Sequence, residues 1–241
     1  MKDFIDLRHV MDLSHVMNLK HIAFIMDGNS TWARKHNKPI LEGYLAGMRK
    51  LANIICYLNK INIKYVTCYA FSSENWLRPK AWIDSFMNLA IKFLEKDPLI
   101  QKVLDAKIKL KIIGNKTKLP SRLQEIIKYY ENITKNNEGT LMQLAMSYGS
   151  RDEIVRAVKK VINNNLEINE ENISNNLDTS GIPDPDLIIR TSSKKRLSNF
   201  LLWQASYSEF YSSDLTWPEF TEEELNKAIE DFNNRIRTYG R

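Results

Sequence analysis

The residues best suited to chemistry stand directly after short apolar runs. Ile22-Ala23-Phe24-Ile25-Met26 ends abruptly in Asp27-Gly28-Asn29, which puts one carboxylate beside a glycine where a strand should stop. Magnesium keeps several waters and takes one or two carboxylates together with phosphate oxygens, so a single aspartate suffices for it. Gly28 would let backbone N–H groups approach a phosphate, and a helix starting just beyond would add its positive end. Asp-Gly-Asn is equally ordinary turn chemistry, and taken alone this stretch reads as a plain strand end. A second cluster follows Leu187-Ile188-Ile189, with Arg190 closing the run and Arg196, Ser198 and Asn199 in the polar sequence after it. Arginine meets phosphate oxygens through a fork whose charge survives any physiological pH. The arrangement therefore predicts two guanidiniums converging on one dianion, the plain alternative being a surface arginine pair. The third cluster is Phe71-Ser72-Ser73-Glu74-Asn75-Trp76-Leu77-Arg78-Pro79. Its polar side chains, apolar Trp76 and closing proline suit a lid, and equally an ordinary loop with one anchoring tryptophan.

All three clusters need strands to carry them. Apolar or β-rich runs at His21–Asp27, Lys64–Phe71, Leu110–Gly114, Leu141–Ser147, Leu187–Arg190 and about 206–211 predict strands. Between them, helical patterns fall at about 41–60, 80–97, 120–135 and 150–164, with a last one near 221–236. Such alternation implies βαβ crossovers and a mostly parallel sheet covered by helices. Ligands of such sheets lie at the carboxyl ends of the strands, where the strand order reverses. The Asn- and Glu-rich stretch 163–180 reads as a weak helix and loop.

With 241 residues and 43% apolar content, one α/β domain with a substantial core is expected. No run approaches the roughly 18 consecutive apolar residues of a membrane helix, and no signal-peptide pattern opens the chain. Cys56 and Cys68 offer neither a disulfide framework nor a metal spacing, which fits a reducing cytoplasm. The net charge of +6 would suit nucleic acid, a membrane surface or an anionic substrate alike. Lys107, Lys109, Lys111, Lys116 and Lys118 alternate with apolar residues as on an edge strand with a solvated lysine face. No aromatics interleave with the cations, so nucleic acid is not expected as a partner. His9, His15 and His21 recur six apart within the echo HVMDL/HVMNL. Without nearby cysteines or carboxylates they read as surface residues and not as a metal site.

HIAFIMDGNSTWAR at 21–34, YAFSSENWLRP at 69–79 and PDLIIRTSSKKRLSNFLLWQASYSEFYSSDLTWPEF at 185–220 resemble the three signature regions of bacterial undecaprenyl diphosphate synthases, cis-prenyltransferases. SYGSRDEIV at 147–155 is similar to the same family, and the likeness runs in register over about 19–240. It implies a cis-prenyltransferase domain at 19–241 behind a variable extension at 1–18. The fold implied is a homodimeric α/β domain with an apolar tunnel, lined from the helices at 41–58 and 83–94. The activity implied is condensation of isopentenyl diphosphate with an allylic diphosphate such as farnesyl diphosphate, giving an undecaprenyl diphosphate for the cell-wall lipid carrier. The place implied is the cytoplasm, with peripheral contact to the inner membrane for product release.

By position, the resemblance makes Asp27 and Asn75 catalytic. Magnesium is assigned to Asp27 and, across the dimer, Glu209. Substrate binding falls to Gly28, Asn29, Trp32, Ser72, Ser73, Glu74, Trp76, Arg78, Arg190, Arg196 and Ser198. Of these, Arg190, Arg196 and Ser198 would hold isopentenyl diphosphate, and Trp76 would close over the allylic substrate. Asp27, a water and a diphosphate oxygen all remain open as the proton acceptor. The chain also departs from the family's DGNGRWA pattern, having Ser30 and Thr31 where glycine and arginine are usual. Ile40 and Tyr44 replace an arginine and a histidine, Ser192-Ser193 a glycine pair, and Thr238 an arginine. The allylic pocket should therefore be altered and the isopentenyl pocket intact. The alternative implied is a weakly active or non-catalytic partner subunit of the same family.

Overall fold

The computed structural model describes residues 19–237, so His9, His15, Thr238 and the extension at 1–18 lie outside the described residues. Six strands form one sheet in the order β3-β4-β2-β1-β5-β6, and every pairing is parallel. They are β1 (His21–Ile25), β2 (Tyr65–Ser72), β3 (Lys109–Ile113), β4 (Leu141–Tyr148), β5 (Leu187–Arg190) and β6 (Glu209–Ser212). The connecting helices are α1 (Asn29–Lys35), α2 (Ile40–Lys60), α3 (Lys80–Lys96), α4 (Leu99–Asp105), α5 (Ser121–Ile133), α6 (Ser150–Asn163), α7 (Glu170–Asn176) and α8 (Glu222–Asn233). Five helices and six strands meet their expected places within a few residues. The short α7 is the weak helix expected in the 163–180 stretch, α1 is the helix expected to start beyond Gly28, and α4 is the addition.

Strand β1 is buried along its whole length and feeds both faces. Ile22 and Phe24 join a core with Ile54, Ile55 and Leu58 of α2 and Ile229 of α8, while Ala23 and Ile25 pack with Tyr148 and Phe200 on the other side. A third cluster joins Phe71, Phe86, Met87, Leu123 and Met146 beneath α3 and α5. Close packing of α1 on α2 depends on glycine: a Cβ on Gly43 would fall 2.1 Å from the Asn29 carbonyl oxygen. Strand β3 is the edge expected from its lysines, yet Lys111 is half-buried, with its amine held below the usual lysine range by burial. Lys116 pairs with Glu131 at 2.8 Å.

His21 is not the surface residue expected. It is 2% exposed, with Nδ1 2.6 Å from the Pro183 carbonyl and Nε2 2.8 Å from Thr67 Oγ1. Burial lowers its pKa to about 4 from 6.5. Between those values the unfolded chain holds more protons than the folded one, so stability falls as the pH drops through this window. The total loss is about 3 kcal/mol, complete below the folded pKa. Urea titrations at pH 7.5 and 4.5 should show most of it, and His21→Gln should have a visibly flatter pH slope. Equal slopes would show that other groups set the acid limit.

Candidate active site

Strand β1 is flanked by β2 and β5, the point at which the sheet's order reverses. Ile25 stands in register with Arg190, so Asp27 just beyond β1 meets the end of β5. The Arg190 Nε and Nη2 donate to Asp27 Oδ2 at 2.9 and 2.5 Å. Its Nη1 donates to Ser198 Oγ at 2.8 Å and to the Arg196 carbonyl. Arg190 is 3% exposed, and a buried guanidinium must keep its N–H groups paired. Four of its five donors go to the protein, so it clamps Asp27 and the 196–198 loop. The exposed Arg196 guanidinium, by contrast, has no protein partner among the described residues.

Gly28 has φ +100° and would put a Cβ 2.7 Å from Thr216 Cβ, so conformation and space both require glycine. No side chain caps the start of α1. The Asn29 amide donates to the Met26 carbonyl at 3.0 Å, and its Oδ1 is buried without a partner. Ser192 and Ser193, in place of the usual glycine pair, still take left-handed backbone at φ 68° and 55°. Ser198 and Asn199 do so as well.

The loop after β2 is a one-turn helix at Ser73–Leu77 closed by a reciprocal cap. Asn75 N–H donates to Ser72 Oγ at 3.2 Å, and Ser72 N–H donates to Asn75 Oδ1 at 3.1 Å. Burial alone would raise the Glu74 carboxyl, but hydrogen bonds from Asn199 and the local loop outweigh it and hold it below the usual range. Trp76 anchors this loop. Its Nε1 donates to Ser147 Oγ at 2.9 Å, and its ring lies edge-on to Phe71 at 4.9 Å. Arg78 donates to the Tyr44 hydroxyl at 3.1 Å and lies 4.1 Å over the Trp82 ring. Ser30 Oγ donates to the same hydroxyl at 3.4 Å. Two of the departures from the family pattern, Ser30 and Tyr44, thus form one network with Arg78.

A cavity of about 830 Å³ opens among these residues. Its mouth is lined by Asp27, Gly28, Asn29, Ser72, Glu74, Asn75, Arg78, Arg190, Arg196 and Ser198, all expected at the site. Trp32, Ser73, Trp76 and Glu209 are not in its lining. Trp32 lies tilted against His36, with ring centres 4.5 Å apart, and Ser73 packs against Gly149. Glu209 begins β6 at the far end of the sheet from Asp27 and pairs with Arg235 at 2.6 Å. Within one chain, strand length and spacing keep it from any ion held by Asp27.

Sequence reasoning passed over Tyr69, Arg151 and Lys194, which also line the cavity. Arg151 and Lys194 sit inside quoted motifs, and weighing every cation there would have found them. Tyr69 also opens a quoted motif, but as an uncharged strand residue it gave no signal: its hydroxyl proton is shared between the Tyr148 and Ser198 carbonyls, and burial chiefly pushes its pKa up. Deeper in, the lining turns apolar, through Leu51 and Ile55 of α2 and Phe86, Ala90 and Phe93 of α3, as expected. It continues past them to Val103 and Leu104 of α4 and to Tyr130 of α5.

Residues 25–240 match the family model described as "Putative undecaprenyl diphosphate synthase". The chain belongs to this family. It is an isoprenyl transferase by family, 44% identical to the isoprenyl transferase of Clostridium tetani over 91% of this chain and 88% of the relative. The isoprenyl transferase of Fusobacterium nucleatum is also 44% identical, over 91% and 94%. A solved probable undecaprenyl diphosphate synthase from Campylobacter jejuni is 40% identical, with a TM-score of 0.77 over 92% of this chain and 99% of that one. Lavandulyl diphosphate synthase from Lavandula x intermedia, solved with dimethylallyl diphosphate, is 32% identical, with a TM-score of 0.87 over 92% and 98%. This isoprenyl transferase is thus a single α/β unit on a six-stranded sheet, and among the described residues no helix is long and apolar enough to cross a membrane.

Proposed function

We propose that this isoprenyl transferase adds isopentenyl diphosphate units in cis to farnesyl diphosphate, making a long polyprenyl diphosphate of the undecaprenyl class for the cell-wall lipid carrier. The observation that carries this is the junction of a charged mouth with a deep apolar cavity. Diphosphate heads find Arg78, Arg151, Lys194 and Arg196 there, while a growing hydrocarbon tail finds aliphatic and aromatic walls. Cytoplasmic placement, a homodimer and peripheral contact with the inner membrane complete the reading.

Asp27 fits magnesium: Oδ2 is taken by Arg190, while Oδ1 has no protein donor among the described residues. No group of three or more metal-binding side chains is present among them, so the cation would be held by Asp27 with phosphate oxygens and water. When bound, it supplies charge stabilisation for the departing diphosphate. The chain's own residues do the rest. Arg190 fixes the Asp27 carboxylate, Arg196 and Ser198 hold the isopentenyl diphosphate, and the apolar walls keep water from cationic character on the allylic carbon.

Incubating the protein with labelled isopentenyl diphosphate, farnesyl diphosphate and magnesium, then sizing the lipids, tests this. A ladder reaching long products of the undecaprenyl class is expected. Products that stop after the first additions would overturn the chain length, and none would leave the partner-subunit reading. The altered allylic pocket gives a second prediction. Thr31 is exposed at the start of α1 and lines the cavity, so Thr31→Arg should add charged donors there. The KM for farnesyl diphosphate should fall about tenfold or more, with that for isopentenyl diphosphate unmoved. Ser30 has ordinary helical backbone, so no accompanying glycine is needed. A loss of activity would show a pocket rebuilt around Thr31.

A further inference from the structure

Three separate segments form the charged mouth, and Asn199, carried by one of them, bonds the other two. Asn199 Nδ2 donates to Glu74 Oε1 at 2.7 Å, reaching the turn after β2. Its Oδ1 accepts from the Arg151 backbone N–H at 3.0 Å, and its carbonyl accepts from the Ser150 N–H at 2.8 Å, reaching the start of α6. Its own backbone directly follows Ser198 in the loop after β5 and is held left-handed at φ 64°, a region asparagine tolerates better than most residues. The bond accepted from Arg151 fixes which end of the amide faces Glu74, so the side chain cannot turn over without losing a partner. Space is tight as well: a Cβ on Gly149 would fall 2.7 Å from Asn199 Nδ2 and 2.2 Å from Ser73 Oγ.

We infer that Asn199 is a positioning residue that latches the Ser73–Leu77 turn to the isopentenyl side of the mouth through Glu74. The latch places Asn75 and Arg78, carried by or next to that turn, opposite Arg196 and Ser198, carried by the loop of Asn199. Trp76 anchors the turn through Ser147, and the amide-to-carboxylate bond, the kind that is stronger than a neutral pair, is what ties its Glu74 side to the loop of Asn199. The latch rests on the proposed reading of the mouth only for its kinetic arm.

Charge inversion at the two partners tests it. Asn199→Asp keeps the acceptor for Arg151 but sets two carboxylates against each other. Glu74→Gln keeps an acceptor for Asn199. In the double variant the new amide at position 74 donates to the new carboxylate at position 199, restoring one bond with the polarity reversed. Hydrogen exchange of the 73–77 amides, measured without substrate, should quicken about tenfold to a hundredfold in Asn199→Asp and return in the double variant. The kcat/KM for isopentenyl diphosphate should fall by a similar factor in Asn199→Asp and recover to the level of Glu74→Gln alone. Exchange at 73–77 unchanged in Asn199→Asp, or a double variant no better than that single one, would overturn the latch. Exchange that follows the latch while activity does not would leave the latch standing and overturn the reading of the mouth.

Discussion

Asp27→Asn is expected to lower kcat by about a hundredfold to a thousandfold, the cost of losing a preorganised charge at the reacting centre, while the protein remains folded. Asparagine keeps an oxygen that can accept from the Arg190 Nε, so the clamp loses charge but not its shape. Asp27→Ala should be equally inactive but less stable by about 1–3 kcal/mol, because a guanidinium 3% exposed then lacks its anionic partner. Steady-state kinetics over a magnesium titration, together with urea melts of both variants, separate the two effects. Activity of Asp27→Asn within a few-fold of the wild type would remove Asp27 from the chemistry altogether.

Arg190→Lys should be more damaging than its conserved charge suggests. An ammonium group has three donors and no planar fork, so it cannot span Asp27, Ser198 and the Arg196 carbonyl as the guanidinium does. The expected loss is about 1–2 kcal/mol of stability, from charge-assisted bonds that the ammonium group cannot remake, with kcat/KM for isopentenyl diphosphate lower by at least about tenfold. Both kcat and KM should move, because the clamp holds the carboxylate proposed for catalysis as well as the 196–198 loop. A rise in that KM alone, with unchanged stability, would show that Arg190 acts as a ligand and not as a clamp.

Much of this site was legible because strand ends are legible. An apolar run that stops at a carboxylate, and another that stops at an arginine, locate Asp27 and Arg190 from the sequence alone, and the resemblance puts them in one site. What could not be read was the company each residue keeps. Arg190 and Arg196 look equivalent in sequence, yet burial commits the first to protein partners and exposure frees the second. Trp76 has the composition of a lid, and only its bond to Ser147, which lies 71 residues away, reveals an anchor. Glu209 looks close to the arginine loop along the chain, but its strand begins where Arg190's strand begins and so faces the opposite end of the sheet. The start of helix α1 just past Gly28 was legible, but its extent was not, because seven residues are too few to show a period.

The position of β1 in the middle of the sheet also sets an order of biosynthesis. Its first partner, β2, begins at Tyr65, whereas its second, β5, begins at Leu187. At about 5–20 residues per second, a ribosome reaches the second partner on the order of ten seconds after the first. During that interval β1 offers one unpaired edge of apolar backbone, a surface that invites pairing with other nascent chains. Asp27 is made early but meets Arg190 only when the last quarter of the chain arrives. The nascent protein can therefore build the apolar walls of its cavity well before it can bring together the charges of its mouth, and a chain interrupted before Leu187 would hold an apolar cleft without Arg190 to meet Asp27.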